Sequence, residues 1–321
     1  MPRIRAGPSP PGPLPTTRFP SREPPPPPST AAQPSTPFAV ARPRLAPDAQ
    51  AWLGEPIEIK PATAATLQRY ARSNLLILGG NDAQAYGLLL ATLLSLAAQH
   101  APSSSQGEGR GEGVRFAVAD LARPESSGFG LFARLSLPHP MELAGPRQAG
   151  ALLTQLLALL DQRLQGEGAA PEVYFLIAGL QRWRELRGTD AYTQSEGAKG
   201  VTRLAEEGPE VGIHLVAWAD GFATLERVFK RGGVGHLDLR VALQLPEKDS
   251  NDLLGSNAAA RLGENRALFR HEDWEMGRLE KFKPYVLAEA DVLARLLERL
   301  RAKGVPEGSD MAQRAWSDRL Q

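Results

Sequence analysis

The residues best placed to do chemistry follow a short apolar run at positions 74–78 and precede a helical pattern at 83–99. In an α/β sheet, the turn between a strand and its helix holds phosphate groups, because free backbone N–H groups meet there. A working phosphate loop has the pattern G-x-x-x-x-G-K-[ST]. The residues of this turn are Gly79, Gly80, Asn81, Asp82, Ala83, Gln84, Ala85 and Tyr86.

Three departures from that pattern predict that the loop is degenerate. With Gly79 on the first glycine, Ala85 replaces the lysine that neutralises phosphate, and Tyr86 replaces the hydroxyl that binds magnesium. Either Asn81 or Asp82 is placed to cap the helix N-terminus, and a carboxylate there repels an anion. We therefore expect no cofactor, with ATP and magnesium as the alternative.

A second position supports the same interpretation. The apolar run at 173–178 ends in Ala178 and Gly179, where a Walker B strand has an aspartate that holds the magnesium shell. Neither residue can coordinate a metal. The five histidines are scattered without ligand spacing, so no metal site is predicted. The sequence offers no catalytic residue.

The elements around these positions predict an α/β fold. Predicted strands at 74–78, 114–120, 173–178, 214–219, 239–245 and 266–269 alternate with helical patterns such as 83–99, 147–165 and 291–302. This alternation predicts a mostly parallel central sheet flanked by helices. Runs such as FLIA and LLIL are apolar throughout, as in strands that are buried on both faces.

Composition divides the chain of 321 residues into three parts. Sixteen of its 28 prolines lie within residues 1–50, which predicts a disordered or polyproline II-like segment. Residues 51–303 are predicted to form the α/β domain, and residues 304–321 a C-terminal tail. The longest apolar stretch, 86–98, is shorter than the ~20 residues of a membrane-spanning helix. We therefore expect a soluble, cytoplasmic protein without a transmembrane segment.

The charge gives little support for DNA binding by the whole surface. The net charge is +1, and residues 1–50 carry six arginines against two acids, so the remainder is at −3. DNA-binding domains usually have a basic excess, so contact with DNA would need a local patch. The basic segment 230–233 is one candidate, although we interpret it as a solvated turn. Arg182, Arg184 and Arg187 are interpreted as a solvated helix face or a subunit contact.

Four segments in order resemble one family. They are LGEPIEIKPATAA at 53–65, NLLILGGNDAQAYGLLLATLLSLAAQ at 74–99, GIHLV at 212–216 and LRVALQLPEKDSNDLLGSNAAARLGENRALF at 239–269. Together they resemble the DNA translocase domains of the FtsK/SpoIIIE family, and more closely the degenerate C-terminal copies in its multi-domain members. The resemblance covers about residues 52–286. AWADG at 217–221 replaces the family's A-T-Q-R-P, and Asn251 replaces the arginine of an Asp-Ser-Arg turn.

The resemblance implies a RecA-like P-loop core, a hexameric or stacked-domain assembly, and association with a DNA- or protein-translocating motor. Arg240 matches an arginine of the family that faces a neighbouring subunit's nucleotide, although a surface residue at a strand end is the preferred interpretation. Two functions remain open. One is a non-hydrolysing structural, regulatory or interaction module that partners an active motor domain, in the same polypeptide or in another. The other is an ATP-binding DNA translocase with a divergent site. A truncated gene product is a third, weaker interpretation.

The composition of residues 1–50 leads to a first prediction. The segment has no apolar period that could pack against the domain, so its removal should leave the fold unchanged. Thermal melts of the full chain and of a chain that starts near Ala51 should agree within about 2 °C. A larger drop in the shorter chain would show that the segment docks on the domain.

Overall fold

The computed structural model describes residues 48–100, 114–166, 170–188, 193–275 and 277–302. The proline-rich segment up to residue 47, residues 101–113 and the chain from residue 303 onward lie outside these ranges. The first strand begins at Ala49, two residues before the boundary predicted at 51. The truncation above should therefore begin at Asp48, since a start at Ala51 would remove part of a strand.

The described part of the chain contains ten strands in one sheet and six α-helices. The strands are β1 Ala49–Pro56, β2 Thr63–Leu67, β3 Leu75–Leu78, β4 Val114–Asp120, β5 Met141–Ala144, β6 Glu172–Ala178, β7 Ile213–Ala219, β8 Leu239–Ala242, β9 Ala267–His271 and β10 Glu280–Pro284. The helices are α1 Asp82–Gln99, α2 Ala149–Leu164, α3 Glu196–Glu207, α4 Phe222–Gly233, α5 Glu247–Leu254 and α6 Ala290–Ala302.

The sheet has a parallel part and an antiparallel part. Its strand order is β2-β1-β10-β9-β8-β3-β7-β6-β4-β5. The adjacent pairs β8-β3, β3-β7, β7-β6, β6-β4 and β4-β5 are parallel. From β8 onward the remaining pairs are antiparallel. The predicted α/β fold is thus confirmed, while the antiparallel extension was not predicted.

Strand β3 lies inside the parallel part, between β7 and β8, and is buried on both faces. Leu75 and Ile77 belong to the apolar cluster that contains α1, whereas Leu76 and Leu78 belong to the cluster formed with α2 to α5. This alternation is the period-two geometry of a strand. Because both faces are covered, the turn after β3 is held at a fixed place at the edge of the sheet.

Helix α1 is buried along most of its length, as its apolar sequence predicts. At Gly87 the helix meets the chain after β10, since a Cβ atom there would lie 2.4 Å from the Tyr285 carbonyl oxygen. Further along, the Ser95 hydroxyl accepts a hydrogen bond from the Trp52 backbone N–H at 3.0 Å. The antiparallel strands therefore cover the helix that begins at the candidate site.

The amino-terminal ends of the parallel strands are joined by Asn74. Its side-chain nitrogen donates to the Ala205 and His236 carbonyl oxygens, both at 2.8 Å. Its side-chain oxygen accepts from the Leu215 N–H at 2.8 Å. One buried amide thus connects the start of β3 to α3, to β7 and to the approach to β8. Across the described residues, no helix is long and apolar enough to cross a membrane.

His100 leads to a prediction about pH. It follows α1, and its Nε2 lies 3.2 Å from the Tyr174 hydroxyl. Burial lowers the pKa of His100 to about 4 from 6.5, the nearby Glu172 opposes this, and His139 adds to it. The unfolded chain then binds the proton more readily, so stability falls as pH drops from 6.5 toward 4. Between pH 7 and pH 5 the contribution of His100 should be a loss of about 2 kcal/mol.

Urea denaturation at pH 7 and pH 5 measures this loss. His100→Gln should lose less stability over the same interval, because glutamine does not titrate. His236→Gln is the matched control, since His236 is another partly exposed histidine with a described polar partner. An equal loss in the wild type and in His100→Gln would contradict the assignment.

Candidate functional site

The turn after β3 lies at the carboxyl end of the sheet's parallel part, where the sequence predicts the phosphate loop. Gly79 has φ 142°, and a Cβ atom on it would lie 2.6 Å from the Leu243 Cβ. Its N–H donates to the Ala219 carbonyl oxygen at 3.0 Å. Its own carbonyl oxygen accepts from the Trp218 indole Nε1 at 2.9 Å. Only glycine fits this position without strain, and two hydrogen bonds to β7 fix its N–H and its carbonyl group.

Asn81, and not Asp82, caps helix α1. The Asn81 side-chain oxygen accepts a hydrogen bond from the Gln84 N–H at 3.0 Å. Asp82 is the first residue of the helix, and its carboxylate accepts from the Arg182 guanidinium at 2.7 Å. The positive end of the helix dipole therefore lies next to an internal carboxylate.

Tyr86 fills the space behind the turn. Its side chain is fully buried, with its ring centroid 5.4 Å from the Trp218 ring in an edge-on arrangement and 6.2 Å from Phe132. A Cβ atom on Gly128 would lie 2.2 Å from the Tyr86 ring. Burial raises the pKa of Tyr86, the Asp120 charge adds to this, and Arg182 opposes it. The phenol stays neutral and packs as a core residue.

The chain that follows the predicted Walker B position brings the Arg182 guanidinium to the site. Ala178 is the buried last residue of β6, and Gly179 follows in the left-handed region with φ 106°. A short 3-10 turn over Leu180–Arg182 then reverses the chain, with the Arg182 N–H donating to the Gly179 carbonyl oxygen at 2.9 Å. As a result, the Arg182 side chain points back across the end of β7.

Arg182 joins three segments of the site. Besides Asp82, its guanidinium donates to the Ser126 hydroxyl at 2.8 Å, and its Cζ lies 5.1 Å from the centre of the Trp218 ring. The side chain is only 16% exposed. The prediction that Arg182 lies on a solvated face is therefore wrong, whereas Arg184 and Arg187 are exposed as predicted. No local pattern could reveal its partner, which lies 100 residues earlier in the chain.

A second carboxylate, Asp120, was not singled out from the sequence. It ends β4 and pairs with Ala178 across the sheet. Its Oδ1 accepts from the Ala122 N–H at 3.1 Å. Burial raises the pKa of Asp120, while the Ala122 N–H and the Arg182 charge oppose this shift. An aspartate that ends a buried strand is the signal that could have identified it. No cluster of three metal-ligating side chains occurs among the described residues.

Arg240 is a buried residue with internal partners. Its side chain is 10% exposed, and it forms an ion pair with Glu272 at 3.0 Å. Its guanidinium donates to three carbonyl oxygens, those of Leu237 at 2.8 Å and of Val234 and Leu253 at 3.2 Å. The interpretation as a surface residue at a strand end is wrong, and these internal contacts give no support to a role at a neighbour's nucleotide. Residues 230–233 also differ from the prediction, since they form the last turn of α4.

The fold resembles solved ATPase structures. The conjugation coupling protein TcpA from pCW3, in its monomer form with ATPγS, matches with a TM-score of 0.56 and 15% identity over 78% of this chain and 70% of that one. The cytoplasmic domain of the Type VII secretion ATPase EccC from Thermomonospora curvata matches with a TM-score of 0.58 and 15% identity. That match covers 81% of this chain and 32% of the EccC chain. EssC (ATPases 2 and 3) from Geobacillus thermodenitrificans matches with a TM-score of 0.54 and 13% identity. That match covers 81% of this chain and 50% of the EssC chain.

These three are ATPases of the FtsK/SpoIIIE type, and the likeness establishes that this chain has their P-loop fold. The chain spans about a third of the EccC structure and half of the EssC structure. No protein family model and no curated protein matches the sequence.

The close contact between Gly128 and Tyr86 leads to a prediction. Gly128→Ala should destabilise the protein by about 1–3 kcal/mol, because the added methyl group overpacks against a buried ring. Tyr86→Leu shortens that side chain, so the same glycine substitution should cost less in a Tyr86→Leu background. Urea denaturation of the four proteins gives the coupling free energy. Equal costs in both backgrounds would mean that the loop at 128 does not pack on Tyr86.

Proposed function

We propose that this chain is a non-hydrolysing P-loop module of a translocating motor, in which the nucleotide site has been replaced by internal packing. The observation that carries the proposal is the ion pair between Asp82 and Arg182 beside the buried Tyr86 ring. Asp82 lies on the first turn of α1, where phosphate would bind, and Arg182 lies on the 3-10 turn that follows the strand that would hold magnesium.

The charges at this site are reversed relative to what phosphoryl transfer requires. Hydrolysis needs a cation against the phosphates and an acid against the metal. Here the phosphate side carries a carboxylate and the strand β6 side carries a guanidinium. Fixed charges stabilise a transition state only when they oppose its developing charge. The carboxylate would repel a nucleotide's phosphates, and the guanidinium would repel the magnesium ion that accompanies them.

The association with a motor is proposed from the structural likeness. TcpA is named as a conjugation coupling protein, and EccC as a Type VII secretion ATPase. The EssC structure comprises ATPases 2 and 3, so similar folds occur there in one polypeptide. We propose that the partner of this chain is an active FtsK/SpoIIIE-type motor domain, in the same polypeptide or another. A cytoplasmic location is part of this proposal, because the EccC match is to a cytoplasmic domain.

An ATP-binding DNA translocase with a divergent site is the second candidate. The TcpA structure contains ATPγS, and Asp120 provides one carboxylate at the same edge of the sheet in this chain. This candidate requires Arg182 to leave Asp82, so that the helix N-terminus becomes free. DNA would then be the partner, through a local patch.

The two candidates differ in ATP hydrolysis. The purified full-length protein should release phosphate from Mg-ATP no faster than the buffer blank, with or without duplex DNA, because alanine stands at position 85 in place of the lysine that neutralises phosphate. The control is Arg182→Gln, which removes the cation and should leave the rate at the same background. Wild-type turnover that falls in Gly79→Val would contradict the proposal and favour the divergent translocase.

A further inference from the structure

A groove lies between strands β4 and β5 and helix α2, at the end of the sheet. Its open cavity has a volume of ≈ 610 Å³, within the ~300–1,000 Å³ of ligand pockets. One wall is an apolar stripe on α2 formed by Leu152, Leu156 and Leu159, at the spacing of one helix face. The small side chain of Ala117 on β4 leaves the space beneath this stripe open. Because β5 pairs with β4 and is the last strand of the sheet, the groove lies at an open edge.

Two exposed charges line the rim of the groove. Arg115 comes from β4 and Glu142 from β5. They lie on the same face of the sheet, because Glu142 is opposite Ala117 and Arg115 is two residues before it. Neither forms an ion pair with another described residue, although the Gln155 amide lies against Glu142. An apolar groove with a charge of each sign at its rim favours an amphipathic helix that carries charges beside its apolar stripe.

The segment 303–321 of this chain has the pattern of such a helix. GVPEG at 304–308 follows α6, and its glycines and proline interrupt a helical pattern. Ser309 is then a suitable cap for a new helix over 310–320. The apolar residues of that stretch recur at helical spacing and form one stripe. They are Met311, Ala312, Ala315, Trp316 and Leu320.

The segment leaves the described fold close to the groove. Helix α6 ends at Ala302, and the Arg301 guanidinium donates to the Ser136 carbonyl oxygen at 3.0 Å. Ser136 lies five residues before Met141, where β5 begins. Five residues span at most ~18 Å and the seven residues of the connector 303–309 at most ~25 Å. The connector is therefore long enough to bring the stretch 310–320 to the groove.

We propose that residues 310–320 dock as a helix in this groove of the same chain, with Trp316 against the apolar wall and Arg319 beside Glu142. The tether supports this occupant. A short connector gives an effective concentration in the mM range, so a groove affinity of only ~0.1 mM keeps the segment about 90% docked. A helix of about 11 residues is marginal in water, so the groove stabilises it. The groove shares no residue with the candidate site.

The absence of cysteine from the full chain makes crosslinking a clean test. Gln155→Cys with Gln313→Cys places one thiol at the rim of the groove and one on the segment, and leaves the apolar residues in place. A short bismaleimide should crosslink this pair within one chain roughly tenfold more efficiently than the control pair, because docking raises the local concentration of the thiols. The control is Glu226→Cys with Gln313→Cys, since Glu226 is an exposed residue of α4, which does not line the groove.

Two further substitutions test the contacts of the docked helix. Trp316→Ala should reduce crosslinking to the level of the control pair, because it removes the apolar anchor. Glu142→Arg should also reduce it, and Arg319→Glu in the same protein should restore it, because the charge pair is then reversed. If Gln155→Cys does not fold, Ala158→Cys takes its place, since Ala158 is also exposed on α2.

Four outcomes would overturn the proposal. Equal crosslinking of the two cysteine pairs would mean that the segment does not dock in the groove. Crosslinks between two chains, seen as a dimer on a denaturing gel, would place the segment of a second copy there. Unchanged crosslinking in Trp316→Ala would refute the docked face. Failure of Arg319→Glu to restore crosslinking in Glu142→Arg would refute the charge pair that orients the helix.

Discussion

The arrangement of the candidate site depends on the ion pair between Asp82 and Arg182, because it connects the start of α1 to the turn after β6 across β7. Both side chains are largely shielded from solvent, at 24% and 16% exposure. A shielded pair adds little net stability, since each charge loses hydration when it is buried. Removing one partner, in contrast, leaves the other charge without compensation. The pair therefore acts mainly to select one arrangement of the site.

The opposite edge of the sheet shows a different use of polar groups. Asn74 and Arg240 are both buried there, and each satisfies carbonyl oxygens or N–H groups from several elements. Their contacts are internal and fully structural, as expected for buried polar groups in a low dielectric. The carboxyl edge has an enclosed hydroxyl and two carboxylates near one guanidinium, and it includes the turn at Gly79 that the sequence matches to a phosphate loop. The match to the phosphate loop is why the carboxyl edge is the candidate site.

The sequence was sufficient for those parts of the fold that have a local signal. Strand β4 has the predicted bounds, and β3 and α1 differ from prediction by one residue each, because continuous apolar runs ended by glycine or a capping residue mark such elements. Short edge strands such as β5, with two exposed residues, have no such signal. The pairing of Arg182 with Asp82 and the burial of Arg240 depend on the sheet order, which propensity and periodicity do not specify.

The packing at this site is shared among several residues. A lysine at position 85 alone would replace a fully buried alanine, so its charge would lie in the apolar cluster around α1. Removing Tyr86 alone would leave a cavity beneath the loop that Gly128 allows to approach. Removing Asp82 alone would leave Arg182 facing a helix N-terminus of the same sign. These groups contact one another, so their arrangement is one coupled packing solution between α1, the turn after β6 and β7.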